Sequence, residues 1–263
     1  MRKLKIMVFW MASIAYLIAA LGFVSGRMSE NICERINVSI IDSVENRFVT
    51  NGDIMNVLLE DETNILGYPL ETINTLKLEA VLSDNPFIKE AVLYKTVNGN
   101  LNVEIEQRKP VLRVINMQGE SYYIDKEGFI LPVSDKFTSR VLVANGYISE
   151  PFIYATTRSI FDVEVPGGRR NRVIYELFDM ASYIAGSELW SAQIAQIYVD
   201  EKYEYELIPR VGAHIIYIGD GLDYQMKFRK LKAFYVYGLN NKGWNNYEKI
   251  NLKYKNQIVC TKR

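Results

Sequence analysis

Residues 6–24, IMVFWMASIAYLIAALGFV, run for 19 positions without a charge. As an α-helix rising about 1.5 Å per residue, they extend roughly 28 Å, close to the hydrocarbon thickness of about 30 Å. Such a segment cannot be spent in an ordinary surface helix, so it constrains everything after it. Arg2, Lys3 and Lys5 precede it, with no acid among the first 26 residues. The bias of basic residues sets the start of the chain in the cytoplasm and the rest beyond the membrane. Ile6 and Val24 bound the expected span. Trp10 and Tyr16 can sit at its polar boundaries or pack inside. The rival reading is a cleaved signal peptide, whose apolar region runs about 7–15 residues and is shorter than this one. Both readings export the bulk of the chain.

The 263 residues allow one large domain or two ordinary ones. With 49% apolar and 24% charged residues, wholesale disorder is excluded, and the 18 tyrosines suit half-buried sheet surfaces. Beyond residue 26 the chain carries 28 basic residues (31 less the three above) against 31 acidic ones. That part has no net basic field for nucleic acid, so no nucleic-acid partner is expected. Cys33 and Cys260 form no metal-binding or redox pattern and are read as free thiols.

After a polar spacer at 27–35, residues 36–42 alternate as a strand. Thr50-Asn51-Gly52-Asp53 opens a short helix with Ile54, Val57 and Leu58 on one face. A second helical stripe takes Ile73, Leu76, Ala80 and Leu82 and ends at Asp84-Asn85-Pro86. Two strands then meet at Asn98-Gly99-Asn100, a strong hairpin signal. The order β-α-α-β-β makes a small α+β domain at 36–108, with both helices able to cover one sheet face.

Arg108-Lys109-Pro110 marks a junction where proline stops a ladder. The remainder, 109–263, reads as a mixed β-rich domain with flanking helices. A hairpin surrounds Met117-Gln118-Gly119-Glu120, and Asp125-Lys126-Glu127-Gly128 turns into Phe129-Ile130-Leu131-Pro132. A short strand is expected at 141–145. Residues 151–170 have no clear assignment beyond a loop at Pro166-Gly167-Gly168. Val173, Leu177, Met180 and Ile184 mark a helix, capped by Gly186. Three strands follow, then a last long helix carrying Met226, Leu231, Phe234 and Tyr235. The closing stretch alternates Ile250, Leu252 and Tyr254 with Asn251, Lys253 and Lys255, as a half-buried strand does. Residues 257–261 either continue that strand or begin a new turn.

No catalytic constellation emerges. His214 is the sole histidine and sits within or at the start of a strand, where a structural role is expected. Asp125 and Glu127 flank a hairpin glycine and read as solvated turn residues. Gly219-Asp220-Gly221 lacks the spacing of a phosphate loop. No enzyme, cofactor or metal is expected, and the chemistry points to binding and positioning.

The order of these features resembles a known family. The small domain looks like a POTRA domain. The stretch from Asn85 to Pro132 is similar to the FtsQ/DivIB bacterial cell-division proteins, through Arg108-Lys109-Pro110 and Tyr123-Ile124-Asp125 with Gly128. Asn251-Leu252-Lys253-Tyr254 stands where the family carries an acidic-or-amide, Leu, basic, Tyr element. Asn251 replaces the more usual Asp, and Lys253 the more usual Arg.

The resemblance implies a non-enzymatic, single-pass component of the division machinery and favours the anchor over the signal peptide. It implies a cytoplasmic tail at 1–5, an inner-membrane helix at 6–24 and a periplasmic bulk at the division septum. Partners would be the lipid bilayer, other divisome membrane proteins and proteins of the FtsB and FtsL type, the last adding a strand at the C-terminal edge. The candidate partner-binding residues are Asn251, Lys253, Tyr254, Lys255, Asn256, Ile258 and Val259. Lys253 and Lys255 would share one strand face and suit an acidic segment. The alternative is a POTRA-bearing transport or outer-membrane assembly factor.

Overall fold

The computed structural model describes residues 9–19, 32–41, 46–60, 64–150, 158–162, 173–239 and 243–263. Two units result, one ending at Gln107 and the other starting at Arg108. Residues 9–19 are helical (α1), with Trp10 and Tyr16 exposed. No helix among the described residues is long and apolar enough to cross a membrane. Ile6 and Val24, the ends of the expected span, lie outside the described residues.

The first unit is built from β1 (Arg35–Ile41), α2 (Asn51–Leu59), α3 (Thr75–Ser83), β2 (Ile88–Lys95) and β3 (Asn100–Gln107). Its sheet order is β1-β3-β2, with β1 parallel to β3 and β2 antiparallel to it. Parallel pairing needs a crossover, and α2 and α3 supply it. Thr50 and Asp53 cap α2 reciprocally, as the sequence leads one to expect. Ile54, Leu58, Leu78 and Leu82 are buried, along with Leu101, Val103 and Ile105 of the central strand.

Two expectations shift. Leu76 is 74% exposed, and Leu78 takes the inward position. Asn74 caps α3, so Leu70–Thr72 forms a separate 3-10 turn and the stripe begins later than its apolar spacing suggests. The segment read as a polar spacer is tied into this unit at its end. Ile32 bridges Pro69, and the Cys33 N–H donates to the Tyr68 carbonyl. Cys33 is buried and, like Cys260, a free thiol. Burial pushes its pKa up, away from thiolate reactivity.

Gln107 closes the unit from within. Its carboxamide accepts from Val49 N–H at 3.0 Å and donates to the Asn46 carbonyl at 2.8 Å. This pins the approach to α2 onto the end of β3.

The second unit is a nine-stranded mixed sheet in the order β12-β11-β10-β9-β8-β7-β4-β5-β6. Its strands are β4 (Pro110–Ile115), β5 (Ser121–Asp125), β6 (Ile130–Pro132), β7 (Leu142–Gly146), β8 (Ile194–Val199), β9 (Tyr205–Pro209), β10 (Ile215–Gly219), β11 (Tyr247–Asn251) and β12 (Val259–Lys262). Helices α4 (Val173–Ala185), α5 (Glu188–Gln193) and α6 (Tyr224–Phe234) bring apolar faces to one core. Leu177, Met180, Ile184, Trp190, Phe228 and Leu231 join Val114, Ala144, Ile197, Leu207, Ile216 and Ile250 of the strands. Alternate strand residues point the other way and form polar pairs, including Gln196–Asn145 at 2.7 Å and Lys249–Glu206 at 2.8 Å.

Several local readings are corrected. Pro110 does not end a ladder but begins β4, a position that needs no backbone donor. In α6 the buried apolar positions are Phe228 and Leu231, with Lys227 buried beside them, whereas Met226 faces outward. Within 151–170, residues 158–162 are described. Ser159 bridges Phe129, and Ile160–Asp162 is a 3-10 turn. The Pro166-Gly167-Gly168 loop lies outside the described residues.

Asp125 is not a solvated turn residue. Its Oδ2 accepts from Arg108 Nη1 at 3.0 Å, with the two side chains 2% and 6% exposed. Its Oδ1 accepts from the backbone N–H of Glu127 and of Phe129. The Arg108 guanidinium also lies 3.8 Å from the centre of the Phe129 ring. Gly128 completes this turn at φ +86°, where a Cβ would meet the Phe161 ring at 2.7 Å.

Two outcomes follow for stability. Gln107→Ala strands one buried donor and one acceptor, so it is expected to destabilise the first unit by about 2–4 kcal/mol in denaturant titration. Arg108→Met leaves the Asp125 charge buried and is expected to cost about 3–5 kcal/mol. Adding Asp125→Asn to Arg108→Met should recover part of that loss in a thermal melt, because an amide keeps the Oδ1 acceptor without the charge.

Candidate functional site: the β11–β12 edge

A sheet with free edges can accept another strand. In the second unit the two edges differ. At the β6 edge, Ile130 N–H donates to the Arg158 carbonyl at 2.9 Å, so segment 158–160 lies against the short strand. At the other edge no strand among the described residues pairs with the outer side of β12.

The topology produces that edge. β11 lies parallel to β10, with Ile216 opposite Ile250, and α6 makes the crossover between them. β12 then folds back antiparallel on β11, with Ile250 opposite Cys260 and Asn251 opposite Val259. Leu252 N–H donates to the Tyr217 carbonyl at 2.8 Å, so alternation turns the Ile250 backbone toward β10. The backbones of Lys249 and Asn251 face β12, and their partners Thr261 and Val259 hold the ladder. Cys260, opposite Ile250, therefore turns its N–H and C=O outward, while its side chain packs on the core.

The closing segment is thus a hairpin and not one strand. Asn251 ends β11, where its carboxamide accepts from Lys253 N–H at 3.0 Å. Leu252 is fully buried, and Tyr254, Lys255 and Asn256 form the exposed connection. Ile258 is half-buried against the core, and Val259 starts β12. The expected shared strand face of Lys253 and Lys255 does not exist, because both residues lie outside the strands.

Lys253 is engaged within the chain. Its Nζ meets Glu204 Oε1 at 2.7 Å, and the Tyr217 hydroxyl donates to the other oxygen of that carboxylate. The Glu204 bond pushes the Lys253 pKa up. From the other side, Lys230 Nζ donates to the carbonyls of Leu252, at 2.9 Å, and of Tyr254. The β11–β12 connection is therefore held by Glu204 and Lys230. Sequence reasoning missed both, since nothing in their neighbours' spacing announces a contact 49 or 22 positions away.

His214 sits just before β10, buried among Tyr235 and Trp244, with Nε2 3.4 Å from the Tyr235 hydroxyl. Arg263 lies close by, donating to the Ala213 carbonyl at 2.7 Å. Among the described residues no carboxylate is bonded to the His214 ring, which packs against the Tyr235 and Trp244 rings. Among the described residues no group of three or more His, Cys, Asp or Glu is placed to hold a metal. Gly219-Asp220-Gly221 leads from β10 toward α6, with Asp220 paired to Lys227 at 2.7 Å.

The first unit has the order β-α-α-β-β, and the second is a mixed sheet whose β12 edge is unpaired among the described residues. Residues 31–106 match the model of the POTRA-like domain. Residues 109–261 match the model described as FtsQ/DivIB, C-terminal related, and the chain belongs to the FtsQ/DivIB family. A search of curated proteins finds no match. Both domain families are non-enzymatic, and the FtsQ/DivIB match gives the chain a role in cell division.

Burial lowers the His214 pKa from its ordinary value, and Arg263 adds repulsion. The unfolded chain therefore takes up the proton first as pH falls. The stability that neutral His214 contributes is complete above the ordinary value of about 6.5 and declines on acidification toward the lowered one. Unfolding titrations between pH 7.5 and 5 should show this loss, and His214→Phe should remove that component.

Proposed function

We propose that the chain is a membrane-anchored scaffold of the division machinery. Residues 6–24 hold it in the inner membrane with the N-terminus in the cytoplasm, and the two folded units work in the periplasm at the septum. There it binds division proteins of the FtsB and FtsL type, and through them helps recruit and regulate septal peptidoglycan synthesis. The observation that carries this reading is the outer side of β12, which no strand among the described residues pairs, in contrast to the covered β6 edge.

The working element is the backbone of β12, with Cys260 offering the outward donor and acceptor. Val259 is exposed beside it and would contact an added strand. Asn251, Lys253 and Ile258 act indirectly, by shaping the hairpin, and Tyr254, Lys255 and Asn256 flank the edge. An acidic partner segment would meet Lys255 and Lys262 more readily than Lys253, which Glu204 already holds.

Proline at position 260 removes the outward N–H and leaves the β11–β12 bonds of Val259 and Thr261 in place. Cys260→Pro is expected to melt like the parent chain and to bind a purified FtsB–FtsL-type complex at least about tenfold more weakly, a change of about 1.4 kcal/mol. Full binding by the folded variant would overturn the edge mechanism.

A further inference from the structure

One end of the first unit collects exposed apolar side chains. β1 starts there at Arg35, opposite Asn100 of β3, and β2 returns there at Lys95, opposite Leu101. The chain enters beside them. Ile32 bridges Pro69, Gly67 N–H donates to the Cys33 carbonyl at 2.9 Å, and Glu34 N–H donates to the Gly99 carbonyl at 2.8 Å. The entering segment is thus tied to the turn at 66–68 and to the tip of the β2–β3 hairpin. Tyr68 also lines a small cavity with Asn74 and Lys77, so α3 starts at this end as well. Around the point of entry, Ile32, Leu66, Tyr68, Leu76 and Val97 are 46%, 39%, 56%, 74% and 74% exposed.

Chain length sets what this end can reach. Residues 25–31 alone separate Val24, the end of the apolar run, from Ile32. Fully extended at about 3.3–3.6 Å per residue, the chain from Val24 to Ile32 covers no more than roughly 29 Å. With 6–24 across the hydrocarbon, the headgroup layer takes up about 5–8 Å of that reach. β3 carries the chain out at Gln107, opposite Ile88 at the other end of the sheet. The entry end, and not the exit end, is therefore the one held near the headgroups. Its charges do not single out an anionic surface, since Arg35, Lys77 and Lys95 are matched by Glu34, Glu60 and Glu71, all exposed.

We propose that this end of the first unit rests on the lipid surface, with Tyr68, Val97 and the apolar side chains beside them dipping into the headgroup region. The contact presupposes the membrane anchor at 6–24. Tyrosine suits such a boundary, where its ring meets apolar chains and its hydroxyl meets water. The exposed tips come from four separate segments and make no continuous strand edge or helix face. A protein partner would need register to match them, and a lipid surface needs none. Each contact is weak alone, but the anchor makes it intramolecular and so raises its effective concentration. The contact orients the unit, turning the Gln107 end of the sheet away from the membrane.

The test reconstitutes the full chain in phosphatidylcholine vesicles doped with two photoactivatable phosphatidylcholines, one with its diazirine near the headgroup and one with it on the acyl chain. Mass spectrometry of the digested chain then maps the lipid adducts. Adducts at Ile32, Leu66, Tyr68, Leu76 or Val97, together with adducts within 6–24, are the expected result. Tyr68→Asn with Val97→Asn should cut the yield at the other three positions at least about fivefold, while the 6–24 adducts persist and the melt stays unchanged. Adducts confined to 6–24, or entry-end adducts that survive the double substitution, would overturn the lipid contact and leave the anchor intact. Absence of adducts from 6–24 would overturn the anchor and the contact with it. Entry-end adducts that appear only on dilution of the chain in the bilayer would assign this end to a second copy, and would overturn the proposal too.

Discussion

Everything at the candidate site depends on the parallel pairing of β11 with β10. Two parallel neighbours cannot be joined by a tight turn, so the chain must leave the sheet, and α6 is the excursion it makes. The crossover buries Phe228 and Leu231 and returns the chain at the end of the sheet. β12 can then fold back only on the outside of β11, where it becomes the last strand. The β12 edge, unpaired among the described residues, is a consequence of that topology.

Charge pairs fix the two ends of the second unit in different ways. Arg108 and Asp125 are nearly out of water, and each is worth having only while the other is present. Asp125 spends its remaining acceptor on the turn that leads into β6. At the opposite end, Lys253 stays half in solvent while Glu204 is buried beneath it. That pair ties the hairpin connection to Glu204, just before β9.

Much of the fold was legible because its signals are local. Asn98-Gly99 announces the β2–β3 hairpin through turn chemistry, Thr50 and Asp53 announce α2 by capping it, and the stripe of Val173, Leu177, Met180 and Ile184 recurs in α4. The failures also have local causes. Leu76 and Met226 match an apolar stripe by type, but a helix with apolar residues on two sides does not say which side is the inner one. The alternation from Ile250 to Tyr254 suggested one strand, yet Asn251 turns the chain after Leu252, and the ladder resumes only at Val259. The membrane segment was read from residues 6–24, of which 9–19 are described as helix.

By itself the sequence determined several local elements and the family resemblance that its short motifs carry in order. These depend on neighbours within a few residues, or on composition, and survive without a fold. Only the tertiary structure decided that Asp125 is buried against Arg108, that Lys253 is already paired with Glu204, and that β12 rather than β6 is the unpaired edge among the described residues. Those facts join residues 17 and 49 positions apart or rank one strand against eight others. Pairings at that range are selected by sheet topology and by the burial of the charges, and neither is written in the spacing of the residues concerned.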